Sequence, residues 1–268
     1  MEAKQLFKIL IRPLTIEDAA ISYRWRNDPS LWKYTVNKPR EIATRESEEN
    51  WLKIKLADPT EKRYAIVADD CYIGNVHFTN MVDKSFVIHI FIGDKRYHKK
   101  GISTLAIYQL CYCGVHVFKG EVGVFRVSPE NQAVLGIIRS FGLNEFEEKD
   151  GWIAIQFPVQ FFPNPSCTVG VFCEDNLDLS SVLENILKQK CDFTYDIMVG
   201  GDLSDGNMQI LSKYAAMFPG KFFPFKSDSI LKTPSDIENK ALGDHFLWYR
   251  DNLFEDVYGL FDSRQEVL

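Results

Sequence analysis

The chain has 268 residues, which is enough for one large domain or two ordinary ones. Apolar residues make up 46% of the chain and charged residues 25%, proportions that are typical of a globular protein with a buried core. The formal net charge of −6 argues against the whole chain being a nucleic-acid binder.

The N-terminal part of the chain predicts one strand and two helices. Residues 6–12 alternate between apolar and polar side chains, as a half-buried strand does. Thr15 can cap a helix that ends near residues 27–29. A second helix begins at Thr44 and stops at the Asp-Pro pair of residues 58–59.

Three strand patterns then follow one another through short turns, over residues 63–68, 71–80 and 86–92. Such a succession predicts an antiparallel meander. The third strand is rich in β-branched and aromatic side chains, which suit a buried pleated surface.

A basic turn joins the third strand to a helix. It carries five basic side chains beside Gly101, and Ser103 and Thr104 then stand where a helix begins. A glycine lets the backbone approach a ligand closely, and the N–H groups at a helix start favour anions. The order of strand, basic turn and helix predicts a pyrophosphate cradle, and a solvated basic connection is the alternative.

The remaining patterns divide the chain into two domains. The first continues with predicted helices at 104–117 and 133–140 and predicted strands at 121–127 and 152–157. Three prolines within 158–165 cannot continue a sheet and indicate a linker. Strand and helix patterns then alternate at 168–172, 180–190, 195–199 and 205–218. We therefore predict domains at 1–157 and 167–268, the second a parallel α/β unit, joined by a Pro-rich linker at 158–166.

The cysteine pattern and the N-terminus indicate the cellular compartment of the protein. The six cysteines form no CxxC pair, and histidines at zinc spacing are missing, so we expect reduced thiols and no metal site. The N-terminus lacks signal-peptide architecture, and no apolar run reaches the length of a membrane span. The sequence thus predicts a soluble, cytoplasmic protein.

Residues 6–157 resemble a GCN5-related N-acetyltransferase. Residues 92–103, Ile-Gly-Asp-Lys-Arg-Tyr-His-Lys-Lys-Gly-Ile-Ser, are similar to the acetyl-CoA pyrophosphate loop of that family. His98 stands at the family's Gln or Arg position, Gly101 matches, and Ser103 replaces the second small residue. Residues 131–143 resemble the family's stretch from an asparagine to a Gly-Phe pair.

The resemblance implies a mixed, mostly antiparallel sheet flanked by helices, with acetyl-CoA as the cofactor. Backbone amides of the third strand, where the sheet splays, would face the thioester, and an asparagine would touch the pantetheine arm. The implied cofactor-binding residues are Ile90, Phe91, Ile92, His98, Lys99, Lys100, Gly101, Ile102, Ser103, Thr104 and Asn131.

Two catalytic groups that are frequent in the family are missing. Val87 stands where a glutamate base is common, and Ile138 where a tyrosine acid is common. His89 lies on the same strand face as Val87, and His77 on the preceding strand can be its cross-strand neighbour. We predict these two histidines as catalytic, since an imidazole titrates near neutral pH, and two satisfied core histidines are the alternative. Weaker candidates for the base are Glu48, Glu49 and Asp28.

Within the superfamily, residues 11–14, 25–29 and 74–80 are most similar to ribosomal-protein and nucleotide-sugar N-acetyltransferases, and the closest are the amino-sugar enzymes. The resemblance implies that the substrate is bound by Trp25, Arg26, Asn27, Asn75 and Thr79. We expect a small-molecule amine, a nucleotide-linked amino sugar of surface-glycan synthesis. A protein or peptide N-terminal acetyltransferase and a non-catalytic two-domain scaffold are the alternatives, and a homodimer stays open.

Residues 167–268 are similar to the first half of a family 2 glycosyltransferase, a Rossmann-like fold of the glycosyltransferase-A type. The acidic residues of its uridine and Asp-x-Asp motifs are replaced by Gly200, Gly201, Arg250 and Asn252. A divalent cation needs carboxylate oxygens. We therefore predict a truncated, degenerate domain without glycosyl transfer.

Overall fold

A computed structural model describes the chain over residues 5–35, 38–144, 146–159, 162, 165–173, 177–191, 194–201, 203–222, 231, 234–240 and 245–249. The chain forms two compact units, Met1–Pro163 with Phe218–Gly220 and Asn164–Met217 with Lys221–Leu268. Each unit is described by itself.

The first unit contains a seven-stranded sheet in the order β1-β2-β3-β4-β5-β7-β6. The strands are β1 (Ile9–Pro13), β2 (Lys62–Ala68), β3 (Cys71–Val82), β4 (Ser85–Ile92), β5 (Val122–Val127), β6 (Glu147–Lys149) and β7 (Trp152–Pro158). The pair β4–β5 is parallel, and every other pair is antiparallel. The predicted α/β fold with a mixed, mostly antiparallel sheet is confirmed for this unit.

Four α-helices flank this sheet: α1 (Ala19–Arg26), α2 (Arg45–Ala57), α3 (Ile102–Tyr112) and α4 (Gln132–Ser140). Side-chain caps set two of the starts, because Thr44 Oγ1 accepts from the Ser47 N–H and Asn131 Oδ1 accepts from the Val134 N–H. The helix predicted at 104–117 is instead α3 followed by a π-helical turn, Cys113–Val117.

The two faces of the sheet bury different clusters. On one face, α3 packs against β1, β3 and β4, and Gly114 of the π-helical turn lies against the contacting rings of Phe78 and Phe86. Gln109 of α3 fixes this packing, since its amide accepts from the Ile11 N–H at 3.1 Å and donates to the Ile9 carbonyl at 3.0 Å. The other face carries α1 and α2 over a cluster of Leu14, Ala19, Trp25, Leu52, Ala65 and Tyr72.

The second unit contains a three-stranded parallel sheet in the order β10-β8-β9. Its elements are β8 (Cys167–Cys173), α5 (Leu179–Leu187), β9 (Tyr195–Gly201), α6 (Asp205–Met217), α7 (Pro234–Lys240) and β10 (His245–Trp248). The predicted alternation of strand and helix is present. Arg250 and Asn252, and with them most of the region compared with the Asp-x-Asp motif, lie outside the described residues.

Some element predictions need correction. The sequence patterns missed β6, α7 and β10. Pro158 is the last residue of β7 and lies opposite Val122, so the sheet reaches into the stretch predicted as a linker.

No helix in the described ranges is long and apolar enough to cross a membrane.

Candidate active site

The sheet opens between β4 and β5. Their parallel pairing ends at Ile88 and Phe125, whereas β4 continues to Ile92 with only β3 beside it. Ile90, Phe91 and Ile92 thus have no described strand on their β5 side. Backbone amides at this opening can donate to a ligand oxygen that gains negative charge.

The basic turn that follows β4 is held by acidic and carbonyl partners. Lys95 Nζ lies 2.5 Å from Asp28 Oδ2, and Arg96 pairs with Asp94. His98 Nε2 lies 3.0 Å from the Ile92 carbonyl oxygen, so this ring nitrogen donates. Of the five basic side chains of the turn, Lys95 and Arg96 are therefore neutralised by carboxylates.

Lys99, Lys100 and Gly101 form the part of the turn that approaches α3. Lys99 and Gly101 both have positive φ, 60° and 77°, and Gly101 is the N-cap of α3. Lys100 Nζ donates to Gln5 Oε1 at 3.0 Å. This left-handed backbone explains the glycine, because a side chain at such a φ is strained.

A pyrophosphate suits this turn. A Cβ placed on Gly101 would meet no protein atom within 4 Å, so the space in front of it is open. Ile102, Ser103 and Thr104 form the first turn of α3, at the positive end of its dipole. The Thr104 N–H donates to the Gly101 carbonyl at 3.2 Å, whereas the Ile102 and Ser103 N–H groups come before the first acceptor of the helix. Together with the lysines they provide donors and charge for an anion.

Asn131 and Ile138 both belong to α4. The Asn131 side-chain oxygen caps the helix at 3.3 Å from the Val134 nitrogen, which accounts for this residue locally. Ile138 is fully buried. The position where the family often has a tyrosine acid is therefore part of the core.

His77 and His89 are register partners on β3 and β4, as predicted. Their rings stack, with centroids 4.7 Å apart and an interplanar angle of 12°. His89 Nε2 lies 2.8 Å from the Thr79 hydroxyl oxygen. His77 Nδ1 is buried without a hydrogen-bond partner among the described residues.

Burial makes this imidazole pair neutral. Desolvation, with a smaller contribution from the positive charge of Arg63, lowers the pKa of His89 to about 4. The same two causes hold the pKa of His77 well below its ordinary value. The expectation that these imidazoles titrate near neutral pH is therefore wrong. At pH 7 both rings can accept a proton, but neither carries an extra one.

A row of charged side chains next to the histidines was missed from the sequence. Arg63 on β2 is the register partner of His77. Its Nε donates to Glu61 Oε2 at 2.7 Å, and Lys55 lies 2.9 Å from Glu61 Oε1. Strand alternation relates residues of one strand only, and the register of β2 on β3 is what brings Arg63 opposite His77.

The predicted substrate residues divide by environment. Trp25 is buried, and it packs so closely on the Gly93 backbone that a Cβ there would lie 2.0 Å from the ring. Asn27 exchanges two hydrogen bonds of 2.8 Å with the backbone of Ala43. Asn75 accepts from the Tyr72 hydroxyl at 2.7 Å. All three have structural partners, and their binding role stays a prediction.

Arg26 is partly buried near the end of α1. Its Nε donates to Glu48, and its Cζ lies 3.9 Å from the centre of the Trp51 ring. Glu48 is buried and also accepts from the Ser22 hydroxyl at 2.8 Å. This ion pair accounts for Glu48 without a role as a base.

The arrangement is chemically suited to transfer of an acyl group from a thioester. The opening in the sheet provides donors for the carbonyl oxygen, the turn at Gly101 provides an anion site, and neutral imidazoles lie on the adjoining face. Acetyl-CoA supplies the acetyl group as a thioester, with its pyrophosphate assigned to the Gly101 turn by the family resemblance.

Comparison with known proteins agrees with this geometry. The family model described as "Acetyltransferase (GNAT) domain" matches residues 8–144, just over half of the chain. No curated protein matches the sequence.

Solved structures are similar to this chain over more than half of its length, and the one with a TM-score of 0.50 supports the fold. A spermidine N-acetyltransferase from Vibrio cholerae, in complex with CoA and spermine, is 16% identical with a TM-score of 0.50, over 57% of this chain and 96% of that one. The ribosomal L7/L12 alpha-N-protein acetyltransferase RimL, in complex with CoA, is 14% identical with a TM-score of 0.49, over 56% of this chain and 93% of that one. A domain from Methanocaldococcus jannaschii is 17% identical with a TM-score of 0.48, over 57% of this chain and 99% of that one.

The family match covers the strand, the turn and the helix starts described above. The chain belongs to the GNAT acetyltransferase family, and it is an enzyme that transfers an acetyl group from acetyl-CoA to an amine.

Proposed function

We propose that the acceptor is the primary amine of a nucleotide-linked amino sugar. The observation that carries the proposal is the charge on the sheet face under α1 and α2. Three of its described carboxylates are ion-paired: Asp18 with Arg12, Glu48 with Arg26, and Glu61 with both Lys55 and Arg63. Asp58 also interacts with Lys55 and Arg63, so four cations meet four carboxylates in this network and no negative charge is left over.

That balance favours an amine on an anionic carrier. A polyamine or a basic peptide brings several positive charges and needs carboxylates that are not already neutralised. A nucleotide sugar brings a diphosphate and only one amine. The family assignment also goes against the non-catalytic scaffold.

The test is a comparison of acceptors under one assay. The release of CoA from acetyl-CoA is measured with UDP- and dTDP-linked amino sugars, spermidine and N-terminal peptides. We expect kcat/KM for a nucleotide amino sugar to exceed the other values by about tenfold or more. A higher value for spermidine or a peptide would contradict the proposal.

We also propose that His89, supported by His77, accepts the proton that the attacking amine loses. Both rings are neutral and can take up a proton, but the lowered pKa of His89 makes it a weaker base than a free imidazole. General-base catalysis contributes about 100-fold at the low end of its range, so His89→Gln should lower kcat by at most about that factor. The Thr79→Val variant, which keeps the imidazole, is the comparison. Unchanged rates in the His89 and His77 variants would leave solvent as the proton acceptor.

For the second unit, we propose a degenerate, Rossmann-like relative of family 2 glycosyltransferases without catalytic activity. We propose the domains predicted at 1–157 and 167–268 with the linker at 158–166, except that Pro158 belongs to β7 of the first unit. The parallel order β8-α5-β9-α6 supports the fold. Intact protein incubated with nucleotide sugars and Mn²⁺ should release no nucleotide above background. Limited proteolysis should cut first within 158–166, and early cuts elsewhere would move the boundaries.

A further inference from the structure

Five side chains of the first unit form a continuous stack that the reaction itself does not require. We call Phe91, Trp32, Arg26, Trp51 and Arg63 the guanidinium–aromatic ladder. The Phe91 and Trp32 rings stack with centroids 4.9 Å apart and planes at 26°. Arg26 Cζ lies 5.9 Å from the Trp32 ring centre and 3.9 Å from that of Trp51, and Arg63 Cζ lies 5.0 Å from Trp51.

The ladder connects the opening of the sheet with the imidazole pair. Phe91 belongs to the part of β4 that extends beyond its pairing with β5. At the other end, Arg63 is the register partner of His77. A molecule bound along the ladder would therefore lie beside the reacting groups.

Arg26 is oriented so that part of its guanidinium stays available. Glu48 accepts a hydrogen bond only from the Arg26 Nε, and among the described residues neither Nη group donates a hydrogen bond. The Arg26 side chain is 22% exposed, whereas Glu48 is 4% exposed. The Ser22 hydroxyl holds the carboxylate from the other side at 2.8 Å. The two Nη groups are thus fixed donors beside an aromatic ring.

Trp32 is fixed in the same way. Its indole N–H donates to the Trp25 carbonyl at 2.9 Å, and Trp25 is buried on Gly93. Trp32 and Phe91 are only partly buried, so ring surface stays accessible at this end of the ladder. Rigid aromatic rings bind planar groups at a low cost in conformational entropy.

We propose that the ladder binds the nucleoside diphosphate of the acceptor, with the base against Trp32 and Phe91 and phosphate oxygens on the Nη groups of Arg26. This assignment rests on the proposed function and names the part of the acceptor that the site recognises. A planar guanidinium fork matches phosphate geometry, and base–aromatic stacking accepts different bases.

The experiment measures UDP binding to the full chain by calorimetry in the presence of saturating CoA, which keeps UDP out of the cofactor site. The variants are Arg26→Gln and Trp32→Leu. The matched control is Arg24→Gln, an exposed arginine two residues earlier on α1 that rests on Tyr23. Circular dichroism verifies that each variant is folded.

We expect UDP to bind wild type and the control equally, and to bind each ladder variant about tenfold or more weakly. UDP should also compete with the acceptor but not with acetyl-CoA. Equal binding to all four proteins, or competition with acetyl-CoA alone, would overturn the assignment.

The two proposals fail differently. If nucleotide amino sugars are acetylated with unchanged KM by both ladder variants, the ladder assignment falls and the proposed function stands. If UDP binding depends on the ladder but no nucleotide amino sugar is acetylated, the proposed function falls and the nucleotide site stands.

Discussion

Replacing His89 tests whether the imidazole pair lies in a desolvated site. The pKa of His89 is lowered from an ordinary 6.5 to about 4 in the folded protein. As the pH falls, the unfolded chain therefore binds this proton before the folded chain does. The stability contributed by the neutral ring is fully present above about pH 6.5 and is lost as the pH falls towards 4.

The size of this effect follows from the shift in pKa. Each unit corresponds to 1.36 kcal/mol, so the whole shift is worth about 3 kcal/mol, of which about 2 kcal/mol is lost by pH 5. In His89→Gln this loss disappears, while a side-chain amide can still meet the Thr79 hydroxyl. The free energy of unfolding should therefore fall between pH 7.5 and 5 by about 2 kcal/mol less in the variant than in wild type.

The assay is urea unfolding at both pH values, with Thr79→Val as the control. That variant loses the hydrogen bond to His89 but keeps the buried imidazole, so it should keep the acid sensitivity of wild type. The same decrease in stability in His89→Gln and wild type would refute the argument, because His89 would then be as solvated as in the unfolded chain.

Three further predictions concern packing and use the same unfolding assay. Gly93→Ala should destabilise the protein by about 1–3 kcal/mol, because the new Cβ would lie 2.0 Å from Trp25, and an unchanged midpoint would contradict the packing. Gly136→Ala should stabilise it by about 0.5–1 kcal/mol, because this exposed position in α4 has no atom within 4 Å of a Cβ. A loss of stability there would show that the helix needs the glycine. Gln109→Leu should cost at least about 2 kcal/mol, because two backbone groups of β1 lose their buried partner, and a neutral result would mean that water replaces it.

The sequence was most informative where local pattern and topology agree. Strands β2 to β4 follow one another through short turns, so their pairing could be predicted without knowledge of the rest of the chain. The connection at Gly101 was also predictable, because a glycine directly before the helix start marks the turn from β4 to α3, and its role as a cradle stays a prediction. Short elements with little apolar pattern were missed, and β6 is an exposed Glu-Glu-Lys strand.

The electrostatics of the site could not be predicted in this way. A free imidazole titrates near neutral pH, and only the burial of His77 and His89 beside Arg63 lowers the pKa values. In the same way, Glu48 could be taken for a helix-start carboxylate, whereas its partner is Arg26. Such pairs join residues that are distant along the chain, so no local pattern identifies them.

Calorimetric binding of acetyl-CoA to wild type, Gly101→Ala and Gly136→Ala tests most directly whether the Gly101 turn holds the cofactor. The first substitution adds a methyl group that meets no protein atom, so its cost to the free chain is only about 1–2 kcal/mol of backbone strain. A loss of affinity for acetyl-CoA in this variant must therefore come from its contacts with the ligand. We predict binding to wild type and Gly136→Ala with the same Kd, and at least about tenfold weaker binding to Gly101→Ala, from lost backbone contacts with charged oxygens. Equal affinity of all three proteins for acetyl-CoA, or no binding to wild type, would contradict the assignment of this turn as the pyrophosphate cradle.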